Sequence, residues 1–447
     1  MLTGWQKIGG SWYYLNSNGV MAANTWIDEY YINSSGVWDQ GGQSGNVRYT
    51  YAFPTASSKK GLQVNTDMMD DVTNLGVKHA VINITLNSLL KSGSVPFTYE
   101  GTTYYMNKSY INELDKQIRG LHDRGVIVTA VILLQWDDSL QDLVLPSART
   151  RGYTLYGWNT VENGPKKKLK AACTYLAQRY AAPDMGVVNW IASNEVNLWA
   201  DYHYCGNISF DQYMQYCTDE YRLLYDSVRS VYTNARIYFS IDHTWAYTGR
   251  PNSYPSKQVL DRFAALISAQ GINDWMLAFH PYPYPELDAA YWNPDSKVTM
   301  SADSPIVTML NLNYMTDYVK NTYGADKRII LSECGFTSVT EGVTNEDNQA
   351  AAIAYGYYLA EFNDMVDSFV VHRHVDHRDE VNIGFSLGLW TNKPGAIETA
   401  DRKKKAYNVF KYMDTSSYRQ YTDFALPIIG KGSWKQAVPG FNPSGFT

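Results

Sequence analysis

Eight apolar runs, each followed by a stretch of helical pattern, constrain this chain more than any other feature. The runs cover residues 46–53, 77–84, 126–134, 187–194, 236–242, 275–280, 328–333 and 368–374. The helical patterns cover 66–75, 108–124, 165–182, 209–230, 255–269, 305–323, 346–363 and 401–413. Within the runs apolar and polar residues do not alternate, as expected of strands covered on both faces in a parallel sheet. Helix starts carry capping signals, such as Ser209 ahead of Asp211 and Asn345 ahead of Asp347. Eight strand–helix units predict an α/β chain folded as a (β/α)8 TIM barrel. A doubly wound sheet is the fallback, but no Gly-rich phosphate fingerprint follows the first run.

Composition narrows the partners. The net charge is −6, and no basic block is long enough to track a phosphate backbone, which argues against nucleic acid. No stretch approaches the roughly 20 apolar residues of a membrane span. Aromatics make up 14% of the chain, with 37 Tyr and 13 Trp, a surplus suited to stacking on sugar rings. Four cysteines (Cys173, Cys205, Cys217 and Cys334) are too few for a disulfide scaffold. Cys205 and Cys217 either pair or stay reduced, and Cys334 reads as a small buried filler.

The first 38 residues differ from the rest. Gly4-Trp5 and Gly10-Ser11-Trp12-Tyr13-Tyr14-Leu15-Asn16-Ser17-Asn18-Gly19 are echoed by Thr25-Trp26 and Tyr30-Tyr31-Ile32-Asn33-Ser34-Ser35-Gly36. These are short aromatic strands joined by Asn/Gly turns, about two copies of one unit. The pattern resembles the choline-binding, or cell-wall-binding, repeats of Gram-positive surface proteins. That resemblance implies an aromatic cage for a quaternary ammonium group, built by Trp5, Trp12 and Tyr14 with Trp26 or Tyr31. A spacer packed on the following domain is the alternative. Residues 1–38 therefore read as partial repeats, 39–45 as a Gly-rich linker, and 46–447 as the catalytic barrel with a C-terminal extension. Because the chain opens in mid-repeat, we expect further repeats and an export signal upstream, and a secreted or surface-attached bacterial protein.

Barrel enzymes work at the C-terminal ends of their strands, and here those ends are rich in chemistry. The fourth run leads to Asn194-Glu195 and the seventh to Glu333. Either glutamate alone is explained by a helix start or a buried arginine. Two carboxylates at two apolar strand tips suggest a shared site. Other strand ends carry Arg48, Trp136, Trp245, His280 with Tyr282, and His372, His374, Asp376 and His377; Trp199 and Trp390 lie in the loops.

Asn-Glu after the fourth strand and Glu after the seventh resemble clan A glycoside hydrolases, retaining enzymes built on this barrel. The resemblance covers residues 46–415 and implies no cofactor. It implies Glu195 as acid/base and Glu333 as nucleophile, in a double displacement through a covalent glycosyl-enzyme intermediate. It places Asn194 at the sugar 2-hydroxyl, Tyr282 as orienter of the nucleophile and His280 in support. Arg48 is expected to keep Glu333 ionised. Trp136, Trp199, Trp245 and Trp390 are candidate sugar platforms, and His374 joins the substrate-binding set. Many clan members end the eighth strand in Trp; this one ends in histidines. Two other readings stay open. One is a metal-dependent hydrolase using His372, His374, His377, Asp376 and Asp379; the other is a carbohydrate-binding surface protein without catalysis.

Overall fold

The structure, a computed structural model, describes residues 2–23, 25–27, 30–33, 35–38, 47–248 and 251–447. Eight strands form a closed barrel: β1 (Lys60–Leu62), β2 (His79–Thr85), β3 (Ile127–Leu133), β4 (Val187–Ala192), β5 (Arg236–Asp242), β6 (Met276–His280), β7 (Ile329–Cys334) and β8 (Val366–Val371). Every ladder around it is parallel. A main helix follows each strand, with shorter helical turns in some of the loops: α1 (Met69–Leu75), α2 (Lys108–His122), α3 (Asn163–Tyr180), α4 (Phe210–Val231), α5 (Ser256–Ala269), α6 (Leu312–Tyr323), α7 (Glu346–Glu361) and α8 (Lys405–Tyr412). This is the (β/α)8 barrel that the sequence pattern predicts.

The two-faced burial of the strands explains why their sequences do not alternate in polarity. Val81, Val131, Ile191, Tyr238, Ala278, Ile330 and Val370 fill the barrel interior. Their chain neighbours Ile82, Ile132, Trp190, Phe239, Phe279, Leu331 and Phe369 pack outward under the helices. The capping signals act as expected: the Ser209 side chain accepts from the Gln212 amide, and Asn345 accepts from the Asn348 amide.

The first strand is a correction. Residues 47–53 were expected to be barrel strand, but β1 is the three-residue segment Lys60–Leu62. The earlier segment crosses the closed end of the barrel, the end from which the strands start. There the Tyr49 hydroxyl donates to Gln178 O and the Tyr51 hydroxyl to Ala181 O, both at the C-terminal end of α3. The Tyr49 amide donates to Val231 O at the end of α4. Its aromatic residues thus serve as anchors between helix ends.

The N-terminal repeats form two antiparallel hairpins, Gly4–Ile8 with Ser11–Leu15 and Thr25–Ile27 with Tyr30–Ile32. The linker expected over 39–45 lies outside the described residues. The second hairpin docks on the barrel: Trp26 Nε1 donates to Gln178 O, and the Arg179 guanidinium lies 5.0 Å from the Trp26 ring. At the other end of the chain, Trp434 and Phe441 pack on Tyr358 of α7, with centroids at 4.6 and 5.2 Å. All four cysteines are buried and free, so Cys205 and Cys217 are not paired. Among the described residues, no helix is long and apolar enough to cross a membrane.

Candidate active site

Two residues in left-handed backbone conformation set the first carboxylate. Beyond β4 the chain turns through Ser193 (φ 58°) and Glu195 (φ 39°), each an uncommon conformation for a side-chain-bearing residue. Neighbouring groups hold that turn. The Ser193 hydroxyl donates to the buried Glu220 carboxylate, and the Glu195 amide donates to Ser240 Oγ of β5 at 3.1 Å. Asn197 and Asp242 tie the same loop to β5: Asn197 Nδ2 donates to Asp242 Oδ1 at 2.6 Å, and the Asp242 amide donates back to Asn197 Oδ1 at 2.9 Å. These supports were not legible in the sequence, because none follows a spacing motif.

The second carboxylate, Glu333, lies in β7. Tyr282, just past β6, donates its hydroxyl to Glu333 Oε1. The approach needs Gly335, since a Cβ there would lie 2.5 Å from Tyr282 Cε1. His280 links the two carboxylates. Its Nδ1 lies 2.6 Å from Glu195 Oε1, and its Nε2 lies 2.9 Å from the hydroxyl of Ser332, the residue before Glu333. Glu195, His280 and Glu333 bring one carboxylate oxygen or ring nitrogen each to within 4.8 Å of one another. Two carboxylates and an imidazole at that separation are also a possible cation cradle, the one such trio among the described residues.

Electrostatics separate the two acids. Burial drives Glu195 up to about 7, with His280 opposing and Glu333 reinforcing the shift. Burial alone would also raise Glu333. The imidazoles of His372 and His280, the Tyr282 hydroxyl and the Arg373 guanidinium outweigh it and hold Glu333 below its ordinary range. Burial would depress His280, but its contact with Glu195 keeps the imidazole above its ordinary value. Glu195 therefore holds its proton up to about pH 7, while Glu333 loses its own below the ordinary carboxylate range.

Glu195, Glu333, Tyr282 and His372 face a cavity of about 310 Å³, walled also by Leu198, His243, Glu286, Phe385 and Leu387. Asn194 is half-buried and is not among the residues that line it, and its amide has no hydrogen-bond partner among the described residues. Several expected members lie elsewhere. Arg48 is exposed at the closed end of the barrel, so His372 and Arg373 take the part assigned to it. Trp245 is fully buried, with Nε1 donating to Ala302 O, and is core rather than platform. His374 Nε2 and Trp390 Nε1 both meet Asp71 Oδ2, at 3.2 and 2.9 Å, which fixes them outside this cavity. Trp136 and Trp199 are half-buried and do not line it. Trp136 donates to Asp138 at 2.7 Å, and Trp199 stacks 6.1 Å from Tyr204.

The cluster after β8 is likewise dispersed. His372 Nε2 is 3.4 Å from Glu380 Oε1, His374 faces Asp71, Asp376 accepts from Lys404 Nζ at 2.8 Å, and Asp379 pairs with Arg378. Residues that share one ligand set in the sequence thus have separate partners in space. The aromatic cage is rebuilt as well. Trp5, Trp12, Tyr30 and Trp38 enclose about 280 Å³. Tyr14 packs edge-on against Trp5, and Trp26 and Tyr31 turn inward and are buried.

The fold and the carboxylate pair define a (β/α)8 barrel with an acidic site at the C-terminal mouth of its strands. Residues 52–437 match the family described as a family of unknown function (DUF5722), and the chain belongs to that family. Residues 3–21 match a cell wall binding repeat. No curated protein matches the sequence. Among solved structures, the chain is similar to a family 39 glycoside hydrolase from the gut symbiont Bacteroides cellulosilyticus WH2. That similarity has a TM-score of 0.50 and 16% identity over 80% of this chain, which spans 64% of the length of that one. Fpglu1 from Fervidobacterium pennivoraus has a TM-score of 0.52 at 12% identity, with 80% of this chain and 83% of that one covered. The hyperthermophilic beta-glucosidase from Pyrococcus furiosus has the same TM-score and identity over 81% and 87%. At such identities the likeness is one of fold.

Proposed function

We propose that this protein is a retaining β-glycoside hydrolase acting on poly- or oligosaccharide. One observation carries the reading: Glu195 and Glu333 face one cavity with carboxylate oxygens within 4.8 Å, and their surroundings push the two acids in opposite directions, Glu195 up and Glu333 down. Retention places two carboxyl groups roughly 5–5.5 Å apart, whereas inversion needs roughly 6.5–9.5 Å to admit a water between acid and base. Glu195, protonated, donates to the leaving oxygen while ionised Glu333 attacks the anomeric carbon; Glu195 then takes a proton from the incoming water. His280 passes hydrogen-bond support from Ser332 to the acid, and Tyr282 holds the nucleophile's oxygen in place.

The test is a screen on β-glycans followed by the Glu333→Gln variant. We expect turnover to fall by at least about 10³-fold and the product anomer to keep the substrate's configuration; near-normal rates would remove Glu333 as nucleophile. A metal-dependent hydrolase is the second reading, now on Glu195, His280 and Glu333 rather than on the residues after β8. Loss of activity in EDTA, restored by a divalent cation, would favour it. A carbohydrate-binding protein without chemistry would show binding and no turnover.

The four-ring box of Trp5, Trp12, Tyr30 and Trp38 supports a role for the repeats in holding a quaternary ammonium group such as cell-wall choline. Secretion or surface attachment follows from that reading.

A further inference from the structure

A second cavity, of about 220 Å³, opens between the ends of β8, β1 and β2. Around the closed barrel β8 adjoins β7, the Glu333 strand, and lies opposite β4, whose end leads to Glu195; β1 and β2 follow β8. The cavity is lined by Gln63, Asn65, Asn83, Arg373, His374 and Glu398, with no Trp, Tyr or Phe among its lining residues. Asn83 is two residues past the interior Val81, hence on the same face of β2, and it stands exposed at the barrel mouth. Its amide has no hydrogen-bond partner among the described residues. Gln63 Oε1 and Arg373 Nε are buried and without a partner, a condition that native structures rarely leave unresolved.

Glu380 joins this cavity to the catalytic one. Its Oε1 meets Arg373 Nη2 at 2.9 Å on one side and His372 Nε2 at 3.4 Å on the other. Arg373 lies between Glu380 and Glu398, its Nη1 3.3 Å from the latter, so the guanidinium charge is already answered. That balance disfavours an anionic ligand. Asn65 is committed to Glu398 O and to the Asp67 amide, which leaves the neutral amides of Gln63 and Asn83 with unused capacity, suited to hydroxyl groups. A ligand carrying many hydroxyls and no net charge fits best.

We propose that this cavity binds a second sugar unit, linked to the one held at Glu333 on the side away from the leaving group. The substrate is then a chain with at least two neutral sugars on that side, recognised there by hydrogen bonds rather than by ring stacking. The proposal rests on the glycosidase reading.

The experiment compares p-nitrophenyl β-glucoside, β-galactoside and β-xyloside with p-nitrophenyl β-cellobioside, β-lactoside and β-xylobioside, following p-nitrophenol release. We expect the preferred disaccharide glycoside to exceed its monosaccharide counterpart at least about 10-fold in kcat/KM. Asn83→Ala and Gln63→Ala, made singly, should each erase most of that gain and leave the monosaccharide glycoside within about 2-fold. Because Asn83 is exposed, its variant keeps the test valid if the Gln63 variant does not fold. No gain from the second unit, or a gain that both variants keep, overturns the second-sugar site and leaves the glycosidase reading standing. No release from any of the six overturns both.

Discussion

At the scale of single residues, the site depends on small side chains as much as on acids. Gly335 leaves space for the Tyr282 ring, which a Cβ would meet at 2.5 Å. Gly335→Ala should therefore push the Tyr282 hydroxyl off Glu333 without touching either carboxylate. The expected result is a kcat roughly 10- to 100-fold lower, with far-UV circular dichroism unchanged. An unchanged kcat would show that Tyr282 does not orient the nucleophile. The residue types at the site were legible from the sequence: Glu195, Glu333, His280 and Tyr282 all follow apolar runs. Their supports were not. Ser193, Glu220, Asn197 and Asp242 act through contacts between different strands, and no spacing along one segment encodes such a contact.

At the scale of elements, the two hairpins show how a repeat can be divided between two tasks. The second hairpin spends Trp26 on docking to α3 and buries Tyr31 against the Trp26 ring, so Tyr30 and Trp38 line the aromatic pocket in their place. Aromatic content alone cannot tell these roles apart, because a docking ring and a cage ring are the same residue type on opposite faces of one short strand. Trp38→Ala should abolish a choline-dependent change in tryptophan fluorescence, while Trp26→Ala should retain it. The reverse pattern would restore the inward-facing rings as the ligand site. The β1 segment carries the same lesson. Lys60-Gly61-Leu62 has too few apolar residues to read as a strand, and it is recruited by β8 and β2 on either side. The aromatic run before it looks like a strand but closes the far end of the barrel.

At the scale of the whole molecule, the barrel brings β4, β6 and β7 to one mouth and couples their charges. With Glu195 raised to about 7 and Glu333 lowered, the proposed double displacement requires the first protonated and the second ionised. Rate should thus fall as pH rises through about 7, and fall again on the acid side once Glu333 is protonated, below the usual carboxylate range. His280 lowers both acids, so His280→Asn should move both limbs of the pH–kcat/KM profile upward. A profile that keeps both limbs in place would mean that His280 does not set these ionisations.

Seven of the eight runs are barrel strands, and their alternation with helices was enough to indicate the barrel, because burial of strands on both faces leaves a local mark in each of those runs. The two glutamates were legible for the same reason, as charges at the ends of apolar segments. Which side chains meet was decided only in three dimensions. Arg48 and Trp390 sit near expected strand ends along the chain, yet one is exposed at the closed end of the barrel and the other is held by Asp71. His372 and Arg373 come to Glu333, with Glu380 against both, along a path past β8 that the local sequence does not specify. Contact energies between distant segments set that path, and they exist only once the barrel has closed.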